Sequence, residues 1–229
     1  MTRTDYHLTS RIEQLRYEKH AAEVCKYIPY EGSVVDLGCG FGTLMLMVRG
    51  LRPDVNITGV DLNDHGIFWD KYAEIGIGFI KSDALDTGLK GHSFDVVISS
   101  GLMEHVDGAS FLKEVKRLLK PGGHNIVFNI PNKYGLGENL SYLFGLVKKN
   151  NGEVEKRYMT YMLESIFGSN DIFIKKLWQE GIVPAQFGLF GRRIESFMNW
   201  SAKFWIVIDR LFSWLPFSQS FNVVSVVGR

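Results

Sequence analysis

The chain has 229 residues, with 26 Lys and Arg against 25 Asp and Glu and a hydrophobic fraction of 45%. That size and balance suit one α/β domain with insertions and exclude a disordered or fibrous chain. A net charge of +1 leaves no global basic field, so nucleic acid is not expected as a partner. Cys25 and Cys39 form neither a CxxC pair nor part of a metal-like cluster, which points to a reducing, cytoplasmic setting. The N-terminal Met1-Thr-Arg-Thr-Asp-Tyr-His is polar and lacks the apolar core of a secretory signal. The most hydrophobic stretch, Phe197 to Phe217, carries Lys203, Asp209 and Arg210, so no membrane span is expected.

In chain order, Ser10 to Tyr27 has helical spacing through Ile12, Leu15, Ala22 and Val24, ending near Pro29. Val34-Val-Asp-Leu reads as a strand and leads into Gly38-Cys-Gly-Phe-Gly. A helix from Thr43 stops before Pro53, and Asn56-Ile-Thr-Gly-Val-Asp-Leu is a second strand. A helix over Ile67–Ile75 precedes a third strand, Ile77-Gly-Phe-Ile. The fourth strand is Phe94-Asp-Val-Val-Ile-Ser-Ser. Phe111, Leu112, Val115, Leu118 and Leu119 give a helix over Ala109–Lys120, which Pro121-Gly-Gly ends before a fifth strand, Asn125-Ile-Val-Phe-Asn-Ile. Such alternation imposes a doubly wound, Rossmann-like α/β sheet with helices on both faces. Beyond it, Asp171–Glu180 reads as a helix, Ile182–Phe190 as extended and Arg192–Leu215 as a long aromatic-rich helix. Phe221-Asn-Val-Val-Ser-Val-Val is a closing strand.

In an open parallel sheet, ligands bind outside the carboxyl ends of the strands. Asp36 and Gly38, Gly40 and Gly42 follow the first strand, Asp61 and Leu62 the second, Asp83 and Ala84 the third. Ser99 to His105 follow the fourth, and Asn129, Pro131 and Asn132 close the fifth. Glycines let the backbone turn sharply and approach a ligand, and the next helix N-terminus faces an anion. The spacing is GxGxG rather than the GxGxxG of dinucleotide sites, and Thr43 stands at the last glycine position. Asp61 lies where a carboxylate accepts both hydroxyls of a ribose. Asp83 can accept from an adenine amine or can serve a turn.

Val34-Val-Asp-Leu-Gly-Cys-Gly-Phe-Gly resembles the first motif of the class I S-adenosylmethionine-dependent methyltransferases. Gly59-Val-Asp-Leu, Ser82-Asp-Ala-Leu-Asp, Phe94-Asp-Val-Val-Ile-Ser-Ser and Leu118-Leu-Lys-Pro-Gly-Gly are similar to the motifs that follow, in order. The resemblance covers residues 10–132, a cofactor-binding core within a single domain over 1–229. It implies a seven-stranded, mostly parallel sheet with an antiparallel last strand. It also implies S-adenosylmethionine as cofactor and S-adenosylhomocysteine as product. On that analogy the Gly38–Gly42 loop holds the methionine part, Asp61 the ribose and Asp83 the adenine. Asp36 supports the loop and the amino end, and Ser100 faces the methionine moiety. Arg16-Tyr17 resembles a pair that in some members closes over the cofactor, with a solvated helix face as the other reading.

A hydroxyl acceptor needs a base to take its proton, and His105 follows the fourth strand at the site mouth. Gly101-Leu-Met-Glu-His-Val is similar to the Glu-x-x-Glu-His segment of ubiquinone-pathway O-methyltransferases, with Gly101 in place of the first glutamate. Glu104 and His105 alone make a poor metal site, so no metal is expected. The acceptor should meet the variable cap segments, 133–170 and 191–217. The first holds the turn Lys148-Lys-Asn-Asn-Gly and Arg157-Tyr158, which could face a substrate or the solvent. The second carries Phe197, Trp200, Phe204, Trp205, Phe212, Trp214 and Phe217. It reads as a helical cap forming a pocket for a bulky apolar or aromatic acceptor, a homodimer face, or a peripheral membrane contact. The lack of a Lys/Arg cluster ranks the membrane contact last.

The expected function is methyl transfer to a small-molecule hydroxyl. The alternatives are an N- or C-methyltransferase, or a non-catalytic S-adenosylmethionine-binding partner subunit. An oxidoreductase on a similar sheet is disfavoured by the GxGxG spacing and the missing Tyr-xxx-Lys couple.

Overall fold

The computed structural model describes residues 11–65, 69–135, 156–180, 200–212 and 218–228; within 200–212 the side chains of 205, 206, 209, 210 and 212 lie outside the description. Helix α1 (Arg11–Cys25) precedes β1 (Ser33–Leu37), α2 (Thr43–Leu51), β2 (Asn56–Asp61), α3 (Trp69–Glu74) and β3 (Ile77–Lys81). Then come β4 (Phe94–Ser100), α4 (Gly108–Leu118) and β5 (Leu119–Pro131). The last part holds α5 (Thr160–Ser169), β6 (Ile172–Glu180), α6 (Ala202–Phe212) and β7 (Ser220–Val227).

The strands form one seven-stranded sheet in the order β3-β2-β1-β4-β5-β7-β6. β1 to β5 are parallel, and β7 runs antiparallel between β5 and β6. The expected doubly wound sheet with an antiparallel last strand is therefore the one observed. Central strands are near-continuous apolar runs because helices cover both of their faces. Val35, Val97, Val127 and Val223 pack with Phe111, Leu112 and Val115 of α4 and with Leu163 and Phe167 of α5. Their strand neighbours Val34, Val96, Ile126 and Val224 point the other way, toward Ala21 and Val24 of α1 and Leu44, Met45 and Val48 of α2. Asp107 starts α4 by accepting the Ser110 backbone N–H at 2.9 Å, a side-chain N-cap.

One element differs in kind from its sequence expectation. Asp171–Glu180 is not helical: Ile172–Glu180 is strand β6, paired along its length with β7. Its register shifts between Ile174 and Lys176, so Ile172, Ile174 and Leu177 all pack on one core while Trp178 packs on the other. That bulge breaks the two-residue alternation, and the resulting spacing imitates a helix. Lys120 and Pro121-Gly-Gly lie inside β5 rather than before it. The extended reading of 182–190, the turn at 148–152 and the ends of the 192–215 helix fall outside the described residues, where only Ala202–Phe212 is seen as helix.

Gly59 of β2 pairs with Asp36 of β1, and a Cβ there would stand 2.6 Å from Met45 Cε and 2.7 Å from Cys39 Sγ. Gly59→Ala is expected to lower stability by about 1–3 kcal/mol through overpacking beneath the glycine loop, read from the midpoint of urea unfolding.

Candidate functional site

Strand order reverses between β1 and β4, and the crevice at their carboxyl ends is where an open sheet takes a ligand. β1 leaves that edge through Gly38, Gly40 and Gly42, whose φ values are +70°, +51° and +72°. Only glycine adopts three such conformations in five residues without strain. A Cβ at Gly38 would lie 3.0 Å from Leu102 Cδ1, and one at Gly42 would lie 2.9 Å from Tyr72 Cε1. A Cβ on Gly40 meets nothing within 4 Å, so that glycine borders open space. Gly42 caps α2 without a side-chain oxygen, leaving the helix start facing the crevice.

The loop is pinned to the end of β2. Gly38 and Cys39 donate to Val60 O at 2.8 and 3.1 Å, and Gly40 donates to Asp61 Oδ2 at 2.9 Å. Asp61 Oδ1 accepts the Asn63 backbone N–H at 3.0 Å and lies 3.3 Å from His65 Nε2. Behind the loop, Asp36 is buried, and burial with the nearby Asp61 charge pushes its carboxyl pKa well up. A carboxyl so placed calls for a cation or a hydrogen-bond donor from a ligand.

Leu62 is exposed beside Asp61, and Ala84 is buried after β3. Asp83 is exposed and accepts the Leu85 N–H at 2.8 Å, so one carboxylate oxygen closes a turn. Ser100, half-buried at the end of β4, accepts from Asn129 Nδ2 at 2.9 Å. The Tyr17 hydroxyl lies 3.4 Å from the same Ser100 Oγ, and burial pushes the Tyr17 pKa up. Tyr17 therefore faces the crevice, which corrects the solvated-helix-face reading for that residue. His105 is exposed in the turn after β4. Tyr158 faces no substrate, because it is buried with its hydroxyl donating to Met103 O at 3.0 Å.

Asp36, the three glycines, Asp61 and Ser100 thus gather at one edge, with Asp83 and Ala84 beside them and His105 at the rim. Four contributors escaped the sequence reading as site residues. Phe41 and His65 hold their rings 5.0 Å apart beside Asp61, and His65 has no motif to mark it. His20 and Glu180 form a 2.7 Å contact beneath Tyr17, between residues 160 positions apart.

Residues 35–127 match the methyltransferase domain family. A fatty-acid O-methyltransferase of Mycolicibacterium smegmatis is 34% identical over 111 residues, which cover 46% of this chain and 39% of that protein. A ubiquinone biosynthesis O-methyltransferase of Cereibacter sphaeroides is 32% identical over 102 residues, covering 42% and 40%. The match thus spans about two fifths of these curated relatives' own length. Among solved structures, geranyl diphosphate C-methyltransferase of Streptomyces coelicolor, in complex with Mg2+, geranyl diphosphate and S-adenosyl-L-homocysteine, superposes with a TM-score of 0.60. It is 17% identical and covers 93% of this chain and 78% of that one, a likeness of fold. Among the described residues no helix is long and apolar enough to cross a membrane.

The buried Asp36 fixes the sign of a pH effect. Its folded pKa lies above the unfolded value, so the folded state binds more protons and loses stability as pH rises from about 4 toward the folded pKa. Asp36→Asn is expected to raise the melting temperature of the ligand-free chain at pH 7 and to flatten its pH dependence, measured by thermal scans from pH 4 to 8.

Proposed function

We propose that residues 35–127, which match the methyltransferase domain family, form a class I, S-adenosylmethionine-dependent methyltransferase domain, and that the chain transfers a methyl group from S-adenosylmethionine to a small-molecule acceptor. The observation that carries this reading is the glycine loop hydrogen-bonded to Asp61 at the β1–β4 switch point, with open space above Gly40 and a buried Asp36 behind it. The residues present fit the cofactor. Asp61 and Leu62 would meet the ribose, Asp83 and Ala84 the adenine, Gly38 to Gly42 the methionine part, and Asp36 with Ser100 its amino end. The cofactor supplies an activated methyl group on a sulfonium and leaves as S-adenosylhomocysteine.

The chain's own residues position and exclude. The elevated Asp36 pKa makes its carboxylate an acceptor that becomes worthwhile when a cation arrives, because pairing offsets the cost of burying charge. Tyr17 and Ser100, whose hydroxyls lie 3.4 Å apart, would close the crevice from the α1 side and keep water from the transfer line. Holding acceptor and methyl in line supplies most of the rate effect in such a transfer.

The acceptor in this reading is a hydroxyl on a bulky apolar or aromatic metabolite, met by the cap segments 133–170 and 191–217 outside the 10–132 core. Trp200, Phe204, Val207 and Leu211 are exposed at helical spacing, an apolar face of the kind such a metabolite needs. The curated relatives' names, a fatty-acid and a ubiquinone-pathway O-methyltransferase, support that class. His105 would take the hydroxyl proton. Its exposure favours one second reading, a nitrogen acceptor that needs no base.

Calorimetric titration tests the cofactor. S-adenosylmethionine is expected to bind and NAD not, with Asp61→Ala weakening binding by about ten- to a hundredfold, the worth of charged hydrogen bonds to the ribose. Absence of S-adenosylmethionine binding would overturn the reading, and binding without transfer across an acceptor panel would support a partner subunit. His105→Ala is expected to slow transfer to a hydroxyl by about 10²–10⁴-fold. An unchanged rate would remove His105 from the mechanism.

A further inference from the structure

Tyr17 and His20 lie one turn apart on one face of α1, and both are bonded to the sheet. His20 is 2% exposed, stacks its ring on Phe128 at 4.1 Å, and sets Nε2 2.7 Å from Glu180 Oε2. Asn222 of β7 donates through Nδ2 to the same carboxylate oxygen at 3.2 Å. That bond fixes the amide orientation, turning Asn222 Oδ1 toward the Asn129 backbone N–H at 2.9 Å. Asn129 Nδ2 then donates to Ser100 Oγ at 2.9 Å, the oxygen beside the Tyr17 hydroxyl. The bonds run Tyr17, Ser100, Asn129, Asn222, Glu180, His20, and one turn of α1 closes the ring.

This circuit is costly. Burial opposes the ionised Glu180, yet the His20 hydrogen bond and the Arg16 and Lys19 charges outweigh it and hold the carboxyl below its ordinary pKa. An ionised carboxylate only accepts, so His20 Nε2 carries the proton, and the buried Nδ1 has no hydrogen-bond partner among the described residues. Asn129 sits at φ +58°, where the β5–β7 register shifts between Val127 and Ile130, so its N–H is free to turn to Asn222. Strained backbone and a buried carboxylate with its hydrogen-bond donors add little to stability, since apolar replacements often serve a core as well. Every link of the circuit nevertheless leads to Ser100 and Tyr17 at the crevice.

We propose that His20 and Glu180 are positioning residues, which through α1 on one side and Asn222–Asn129 on the other set where Tyr17 closes over Ser100, and so tune affinity for the cofactor's methionine end. The inference rests on the cofactor reading above. In this role neither residue needs to touch the cofactor. Their effect passes through the Tyr17 hydroxyl, and that requirement separates positioning from general stabilisation.

A double-mutant cycle reads it. S-adenosylhomocysteine is titrated by calorimetry into the full chain and into Glu180→Gln, Tyr17→Phe and the double variant, with melting temperatures recorded for each. Each single change is expected to weaken binding about tenfold, and the double variant to bind no worse than either single, because the anchor matters only while the hydroxyl is present. Binding by Glu180→Gln within twofold of the parent overturns the proposal, as do effects that multiply to about a hundredfold. Should Glu180→Gln not fold, His20→Gln, which leaves the carboxylate its Asn222 donor, enters the same cycle with the same deciding outcomes. A parent chain that does not bind S-adenosylhomocysteine would instead fail the cofactor reading, and this inference with it; a parent that binds without coupling fails this inference alone.

Discussion

The bond from Gly40 N–H to the Asp61 carboxylate holds the edge of the sheet in working shape. A run with three glycines at positive φ has little stiffness of its own and loses much conformational freedom on folding. Its shape comes from β2, which receives Gly38 and Cys39 on the Val60 carbonyl and Gly40 on Asp61. Parallel pairing of Leu37 with Val60 brings those groups together, and the register is fixed by residues buried on both faces. The start of α2, the space above Gly40 and the seclusion of Asp36 all follow. Asp61 thus shapes the loop and offers a carboxylate to whatever the loop encloses.

Charge adds a second constraint. Asp36 and Asp61 sit close enough for one to disfavour ionisation of the other, and the sheet around Asp36 admits little water. Two acids so arranged gain when a cationic ligand arrives, since its charge offsets both repulsion and desolvation. The crevice therefore favours a cationic ligand, a charge that the proposed cofactor would bring. Rigid layers on each face carry this arrangement, with α2 and α1 behind one side and α4 and α5 behind the other.

What the sequence made legible was local. Asp36, Gly38 to Gly42 and Asp61 share two strands and one turn, and each residue type has a backbone or charge reason to be there. Asp83 was half legible, since its position marks a strand end while its Asx turn also satisfies a purely structural role. Tyr17 was visible only as part of a pair, because amphipathic spacing cannot say which residue of α1 meets β4. Glu180 and Asn222 were illegible. They meet by antiparallel pairing over 42 positions, and the bulge after Ile174 disguised their strand as a helix. Patterns of period 2 or 3.6 report local geometry, and a hydrogen-bond circuit among α1, β4, β5, β6 and β7 leaves no periodic trace.

That division also bears on specificity. Parallel strand ends β1 to β3 supply the loop and the acids, which are the parts that match across the domain family at residues 35–127. Outside that matched core lie α1, the antiparallel pair β6 and β7, and α6, beside which Trp200 and Phe204 are exposed. The same sheet superposes on a geranyl diphosphate C-methyltransferase, while the sequence aligns with a fatty-acid O-methyltransferase. One platform therefore accommodates different acceptor atoms, and fold alone does not choose between them. In the proposed function that choice falls to the segments outside the matched core. In this chain α1 meets the sheet through polar bonds as well as through the apolar packing of Ala21 and Val24, so on the proposal above its placement at the crevice answers to a few hydrogen bonds that are already made.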